Sequence, residues 1–161
     1  MAVEYYILKK EEVDYEHHGK HEQIIWRNIN TGAQYVDFLD GELLLLNGLK
    51  IGKLKHWAAN EKELEIVRRV FELKDVEARD LYILYNITID PVYRRRGHGM
   101  VFYRMFEEEK KKEGYRYIVA WRVKRIEAIN FFKKMGFDLR KVPKSIHPDL
   151  HNLGLKKILE D

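Results

Sequence analysis

Ile87-Thr88-Ile89-Asp90-Pro91-Val92-Tyr93-Arg94-Arg95-Arg96-Gly97-His98-Gly99 is the stretch whose reading decides the fold. Upstream of it, Leu81, Ile83, Tyr85, Ile87 and Ile89 alternate with Tyr82, Leu84, Asn86 and Thr88, which predicts a long strand with an apolar face. Asp90-Pro91 ends that strand, since proline cannot donate to a ladder. Gly97 and Gly99 remove side chains where the backbone turns into a helix, so that successive N–H groups can converge on a phosphate. A helix N-terminus adds unpaired donors and partial positive charge, and Arg94, Arg95 and Arg96 supply bidentate phosphate donors beside it. A bare Gly-x-Gly has little specificity, but a strand, a proline turn, three basic residues, Gly-x-Gly and a helix in that order have much more. Two other phosphate motifs are excluded. The chain has no G-x-x-x-x-G-K-[ST] stretch. Nor does it extend the glycine pair to a dinucleotide fingerprint, because the residue three beyond Gly99 is Phe102.

Downstream, Gly99 to Glu113 reads as a helix. Val101/Met105 and Phe102/Phe106 stack on one side, and Glu107/Lys111 and Glu108/Lys112 pair on the other. Gly114 stops it. Tyr115–Val123 reads as a strand and Arg125–Met135 as a helix with Ile126, Ile129, Phe132 and Met135 inward, stopped by Gly136. Phe137–Val142 and Asn152–Leu159 read as closing strands, giving an α/β arrangement.

Upstream the pattern is looser. Val3–Leu8 reads as a strand and Glu22–Asn28 as a helix. Asp40-Gly41 and Asn47-Gly48 read as hairpin turns linking Gln34–Leu39, Glu42–Leu46 and Leu49–Trp57 into an antiparallel meander. Asn60 and Glu63 form a capping pair, yet Ile66, Val67, Val70 and Phe71 suit a strand as well as a helix.

The 161 residues suit a single domain spanning 1–161. Positive and negative side chains nearly balance, at a formal charge of +4, which is too small a surplus to argue for nucleic acid. With no cysteine there is no disulfide, thiolate nucleophile or cysteine-bound metal. The longest purely aliphatic run, Leu43–Leu46, is far short of a membrane span, so a cytoplasmic protein is expected. His17-His18-x-x-His21 and His147-Pro148-x-x-His151 read as surface histidines, and no metal is expected. Lys110–Lys112 after Glu107–Glu109 reads as a solvated helix face. A nucleic-acid stripe built from Arg94–Arg96 and Lys124-Arg125 lacks the aromatic interleaving of single-strand binders. Tyr5, Tyr6, Trp26, Tyr35 and Trp57 suit either core or an acceptor groove.

These residues resemble the Gcn5-related N-acetyltransferase (GNAT) superfamily. Arg94-x-x-Gly97-x-Gly99 matches its R/Q-x-x-G-x-G/A signature, and Ile89-x-Pro91-x-Tyr93 the approach to it. Ala128-Ile129-Asn130-Phe131-Phe132-Lys133-Lys134-Met135-Gly136-Phe137 is similar to the second signature, A-x-x-F-Y-x-x-x-G-F. The resemblance covers roughly Leu81 to Leu159. It implies a mixed central sheet of about six to seven strands flanked by helices, with acetyl-CoA entering between the strand ending at Ile89 and Tyr115–Val123. Backbone groups of Ile87 and Ile89 would bond the pantetheine, and the Arg94–Met100 amides the pyrophosphate. The implied cofactor set is Ile87, Thr88, Ile89, Arg94, Arg95, Arg96, Gly97, His98, Gly99, Met100, Arg125 and Phe132.

The match departs from the family where chemistry is done. Phe132 stands where a tyrosine proton donor is usual, Arg125 where asparagine is frequent, and Tyr85 and Ile83 where some relatives carry a glutamate or histidine base. Tyr85 is then the candidate to order a water chain, its other reading being a sheet-face aromatic. The expected activity is acetyl transfer from acetyl-CoA to a primary amine, on a small molecule or a protein, by direct attack in a ternary complex. The alternative is an acyl-CoA-binding regulatory module without turnover. Pairing of two copies through a sheet edge is compatible with either.

Overall fold

The computed structural model describes residues 3–17, 23–38 and 41–160. In chain order these form β1 (Tyr5–Leu8), β2 (Val13–His17), β3 (Gln23–Asn28), β4 (Gln34–Phe38), β5 (Glu42–Leu46), β6 (Leu49–Ala58) and α1 (Glu61–Phe71). There follow β7 (Leu81–Ile89), α2 (His98–Lys112), β8 (Tyr117–Val123), α3 (Ile126–Lys134), β9 (Asp138–Lys141) and β10 (Asn152–Lys157). Seven strands form a mixed sheet in the order β1-β5-β6-β7-β8-β10-β9, and β2-β3-β4 form a separate antiparallel sheet. By contacts the chain divides into two compact units, residues 1–55 with 87–102 and residues 56–86 with 103–161.

In the first unit, Asn47 and Gly48 take φ of 51° and 80° and make the expected tight turn between β5 and β6. The other expected hairpin is not formed. Residues 39 and 40 lie outside the described residues, and β4 and β5 on either side of them belong to different sheets. Gly41 serves close approach instead, because a Cβ there would sit 2.6 Å from the Leu54 carbonyl oxygen. The helix expected near Glu22–Asn28 is the strand β3. The reason is tertiary: Trp26, between Tyr15 and Tyr35 in register, is fully buried with Leu8, Val13, Leu43 and Leu45. Gly52 is the tightest point, as a Cβ there would meet the Thr88 carbonyl oxygen of β7.

In the second unit the ambiguous 61–73 segment is a helix. Asn60 Oδ1 accepts from the Glu63 amide at 2.8 Å, and Glu63 returns the bond to the Asn60 amide at 2.9 Å, closing a capping box. Leu64, Val67, Val70 and Phe71 then fall on one face, over Leu81, Ile83, Val119 and Leu153. β7 and β8 pair in parallel from Leu81↔Tyr117 to Leu84↔Ala120. Leu81–Leu84 are all buried, so the expected one-sided apolar face is replaced there by burial on both faces, as parallel pairing under helices requires. Ile126, expected inward, is 62% exposed in the first turn of α3, whereas Phe132 and Met135 are buried. Lys110, expected on a solvated face, is buried with its Nζ 4.1 Å from the centre of the Tyr82 ring and 2.9 Å from Glu113 Oε2. Cation–π attraction and the ion pair together offset its desolvation.

Glu107 of α2 accepts from the Tyr103 hydroxyl at 2.9 Å and pairs with Lys156 of β10 at 2.5 Å. Burial opposes the carboxylate, but Lys156, Tyr103 and Lys111 outweigh it and hold the group below the ordinary carboxylate range. A depressed folded value contributes stability that is present above the unfolded pKa of about 4.3 and lost as pH falls through the folded one. Unfolding midpoints of Glu107→Gln should therefore match the parent at acid pH and fall below it near neutrality. Gly52→Ala must displace backbone and is expected to cost about 1–3 kcal/mol or more, measured by denaturant unfolding.

Candidate functional site

The Ile89–Met100 turn lies within the first unit. Its start is pinned twice. The Asp90 amide donates to the Ile51 carbonyl at 2.7 Å, and Lys50 Nζ lies 3.2 Å from Asp90 Oδ2 and 2.6 Å from Asp37 Oδ2. Partial burial opposes the Lys50 charge, but both carboxylates outweigh that and raise its pKa above the ordinary value. Pro91–Tyr93 then makes one tight helical turn, with the Tyr93 amide donating to Asp90 O at 2.9 Å.

After it the backbone turns left-handed twice, at Arg95 (φ 64°) and Gly97 (φ 82°). A left-handed residue among right-handed neighbours turns consecutive N–H groups inward, which makes an anion-binding concavity. α2 starts at His98, and the first amide to bond back is Val101, onto Gly97 O at 3.4 Å. The amides of His98, Gly99 and Met100 are thus the unpaired donors of a helix start. Arg94, Arg95, Arg96 and Gly97 are all exposed, so an anion can reach them.

Two side chains depart from the expected roles. Arg94 Nε donates to the Ile89 carbonyl at 2.7 Å, so this arginine braces the end of β7 and its Nε does not face a phosphate. His98 packs: its Nδ1 is 2.9 Å from the Tyr5 hydroxyl, and Tyr5 also stacks edge-on against buried Phe102 at 5.2 Å. Tyr5 therefore supports the start of α2, a role that nothing in its strand pattern signalled.

Tyr85, Arg125 and Phe132 lie in the second unit. Tyr85 is the first β7 residue beyond the last β8 pair, Leu84↔Ala120. Its ring lies 5.3 Å from that of Trp57, whose Nε1 donates to Glu63 Oε2 at 2.8 Å. Arg122 of β8 lies 3.2 Å from Asp149, and the neighbouring Tyr85 and Asp149 raise its pKa above the ordinary value. Arg125 is exposed at the N-cap of α3, while the Phe132 ring is buried between Phe131 and Phe137. Of the remaining aromatics, Trp26 is core and Tyr6 is exposed. His18 and His21 lie outside the described residues, and among the described residues no three His, Asp or Glu side chains converge as metal ligands. No helix among them is long and apolar enough to cross a membrane.

A family model described as FR47-like protein matches residues 72–145. Over 73 residues the chain is 33% identical to an uncharacterized N-acetyltransferase of Methanocaldococcus jannaschii, covering 45% of this chain and 32% of that protein. The chain thus spans about a third of the length of the curated relative it matches. The PaiA N-acetyltransferase of Thermoplasma acidophilum, solved in complex with coenzyme A, superposes with a TM-score of 0.50 at 17% identity over 72% of this chain and 58% of that one. The Bacillus subtilis N-acetyltransferase YlbP, also solved with coenzyme A, gives 0.52 at 14% identity over 72% and 66%. At such identities the likeness is one of fold.

A bulky side chain at Gly99, among the unpaired amides that start α2, should crowd the concavity. Gly99→Trp is expected to abolish binding of coenzyme A while the far-ultraviolet circular dichroism stays that of the parent; unchanged affinity by calorimetry would rule the concavity out as the anion site.

Proposed function

We propose that the chain is a member of the Gcn5-related N-acetyltransferase superfamily and that it transfers the acetyl group of acetyl-CoA to a primary amine, a reading supported by the FR47-like match and the N-acetyltransferase relative. The observation that carries this reading is the double left-handed turn at Arg95 and Gly97 running into the exposed start of α2. That arrangement fits a pyrophosphate: converging backbone donors, no side chain at Gly97 or Gly99, and the exposed Arg95 and Arg96 on the same turn. Residues 1–161 are read as one transferase domain, since β6, β7 and α2 each run from one compact unit into the other. Acetyl-CoA, when bound, supplies a thioester carbonyl that an unprotonated amine attacks directly, expelling the thiolate.

The chain's own residues divide the work as follows. The amides of His98, Gly99 and Met100, with Arg95 and Arg96, hold the diphosphate. Ile87, Thr88 and Ile89 present the β7 edge to the pantetheine arm. Arg94 fixes the end of that edge through the Ile89 carbonyl. Tyr85, two residues back on the same strand, orders the acceptor or the water that takes its proton. Phe132 offers no hydroxyl, so departure of the thiolate relies on its weak basicity. Positioning supplies most of the barrier reduction, and general acid–base help is worth about 10²–10⁴-fold. Acetyl-CoA is a cytoplasmic metabolite in this scheme, and the acceptor is a small molecule or a protein amine.

Thiol release from acetyl-CoA, followed against a panel of small amines, peptide N-termini and lysine peptides, tests the proposal. Saturable turnover with at least one amine is expected. Tight acetyl-CoA binding with no turnover on any of them would reduce the chain to a binding module.

A further inference from the structure

β6 carries an extra residue opposite β5. Leu45 pairs with Lys50 and Leu44 with Gly52, so Ile51 between them is a bulge. On a regular strand Lys50 and Lys53, three residues apart, would point to opposite faces. The extra residue resets that alternation, and both side chains reach one carboxylate. Asp37 of β4 lies 2.6 Å from Lys50 Nζ and 3.0 Å from Lys53 Nζ. The bulge residue also offers its carbonyl to the Asp90 amide at 2.7 Å.

The two lysines are not equivalent. Lys53 donates to Asp37, whereas Lys50 spans two carboxylates and also lies 3.2 Å from Asp90 Oδ2. Among the described residues Lys50 is the one cation paired with Asp90, while Asp37 has both lysines. The Lys50, Lys53 and Asp37 side chains are 21%, 22% and 10% exposed, so these pairs are screened less than ordinary surface pairs. Removing the Lys50 charge would leave Asp37 paired and Asp90 alone. Asp90 opens the turn that leads to α2: the Tyr93 amide donates to its carbonyl at 2.9 Å, and Arg94 Nε to that of Ile89 at 2.7 Å. A carboxylate released there would loosen the turn and set a negative charge beside the proposed diphosphate site.

We propose that Lys50 is a positioning residue for acetyl-CoA: beside the β6 bulge it holds Asp90, and through it the end of β7 and the turn into α2, in the arrangement that takes the coenzyme. It also neutralises the one acidic side chain between Ile89 and Met100. Lys53, on the same strand and the same Asp37, is the internal control. The inference rests on the coenzyme site of the transferase reading above.

Lys50→Met and Lys53→Met, compared by calorimetric affinity for coenzyme A, test this. Methionine keeps a long unbranched chain and removes the charge. Each variant gives up one ion pair with Asp37, so a role confined to docking β4 predicts equal effects. The expected result is that Lys50→Met binds coenzyme A about 10- to 100-fold more weakly, the scale of a misplaced group, while Lys53→Met stays within about twofold of the parent. In turnover, Lys50→Met should raise the KM for acetyl-CoA by a similar factor and leave kcat at saturating acetyl-CoA within about threefold. Lys50→Arg, whose guanidinium can still span both carboxylates, should restore the affinity. Unchanged affinity in Lys50→Met, or an equal loss in the two methionine variants, would overturn the proposal. Should Lys50→Met not fold, Lys50→Gln against Lys53→Gln takes the same test with the same two criteria. An unaltered chain that binds coenzyme A but turns over no amine would sink the transferase reading alone, and the affinity comparison would still decide on Lys50. An unaltered chain that does not bind coenzyme A would sink both.

Discussion

The β7–β8 ladder is four residue pairs long, and the use made of β7 depends on where it stops. From Leu81 to Leu84 the strand is buried on both faces and paired in parallel, so no group there can meet a solute. Beyond Leu84 the next side chain is partly exposed and polar-tipped, Tyr85, and the strand carries on to Ile89. One strand therefore serves first as core and then as a partly exposed segment. Helix α1 and the apolar residues of β8 and β10 secure the first part. The bonds from Asp90 to Ile51 and Lys50 secure the end of the second.

Glycine and left-handed backbone mark the places where this arrangement is tight or aimed. Gly52 lets β6 lie against the Thr88 carbonyl, and Gly97 takes a positive φ that turns the chain into α2. Arg95 and Arg122 adopt the same region with side chains attached. At Arg95 the benefit is a concave row of amides. At Arg122 the same conformation falls in the β8 bulge, with the guanidinium 3.2 Å from Asp149.

The departures from the family signatures also make sense in these terms. Phe132 is buried against Phe131 and Phe137, so a hydroxyl at that position would need a partner inside an aromatic cluster. Lys110 shows the converse. A charge that reads as solvated is instead buried, because an aromatic face and a carboxylate are waiting for it.

By itself the sequence determined the second half of the fold and the glycine turn that leads into α2. Those features rest on local rules: alternation into Pro91, paired glycines before a helix, and helical spacing from Phe102 to Phe106. Tertiary structure decided what local rules leave degenerate. Gln23–Asn28 is a strand because Trp26 finds a buried place between two neighbouring strands. Residues 61–71 are a helix because one face meets the sheet. Arg122 takes its left-handed backbone in a β8 bulge opposite β10, and a bulge is a property of two strands in register, which neither strand's residues reveal alone.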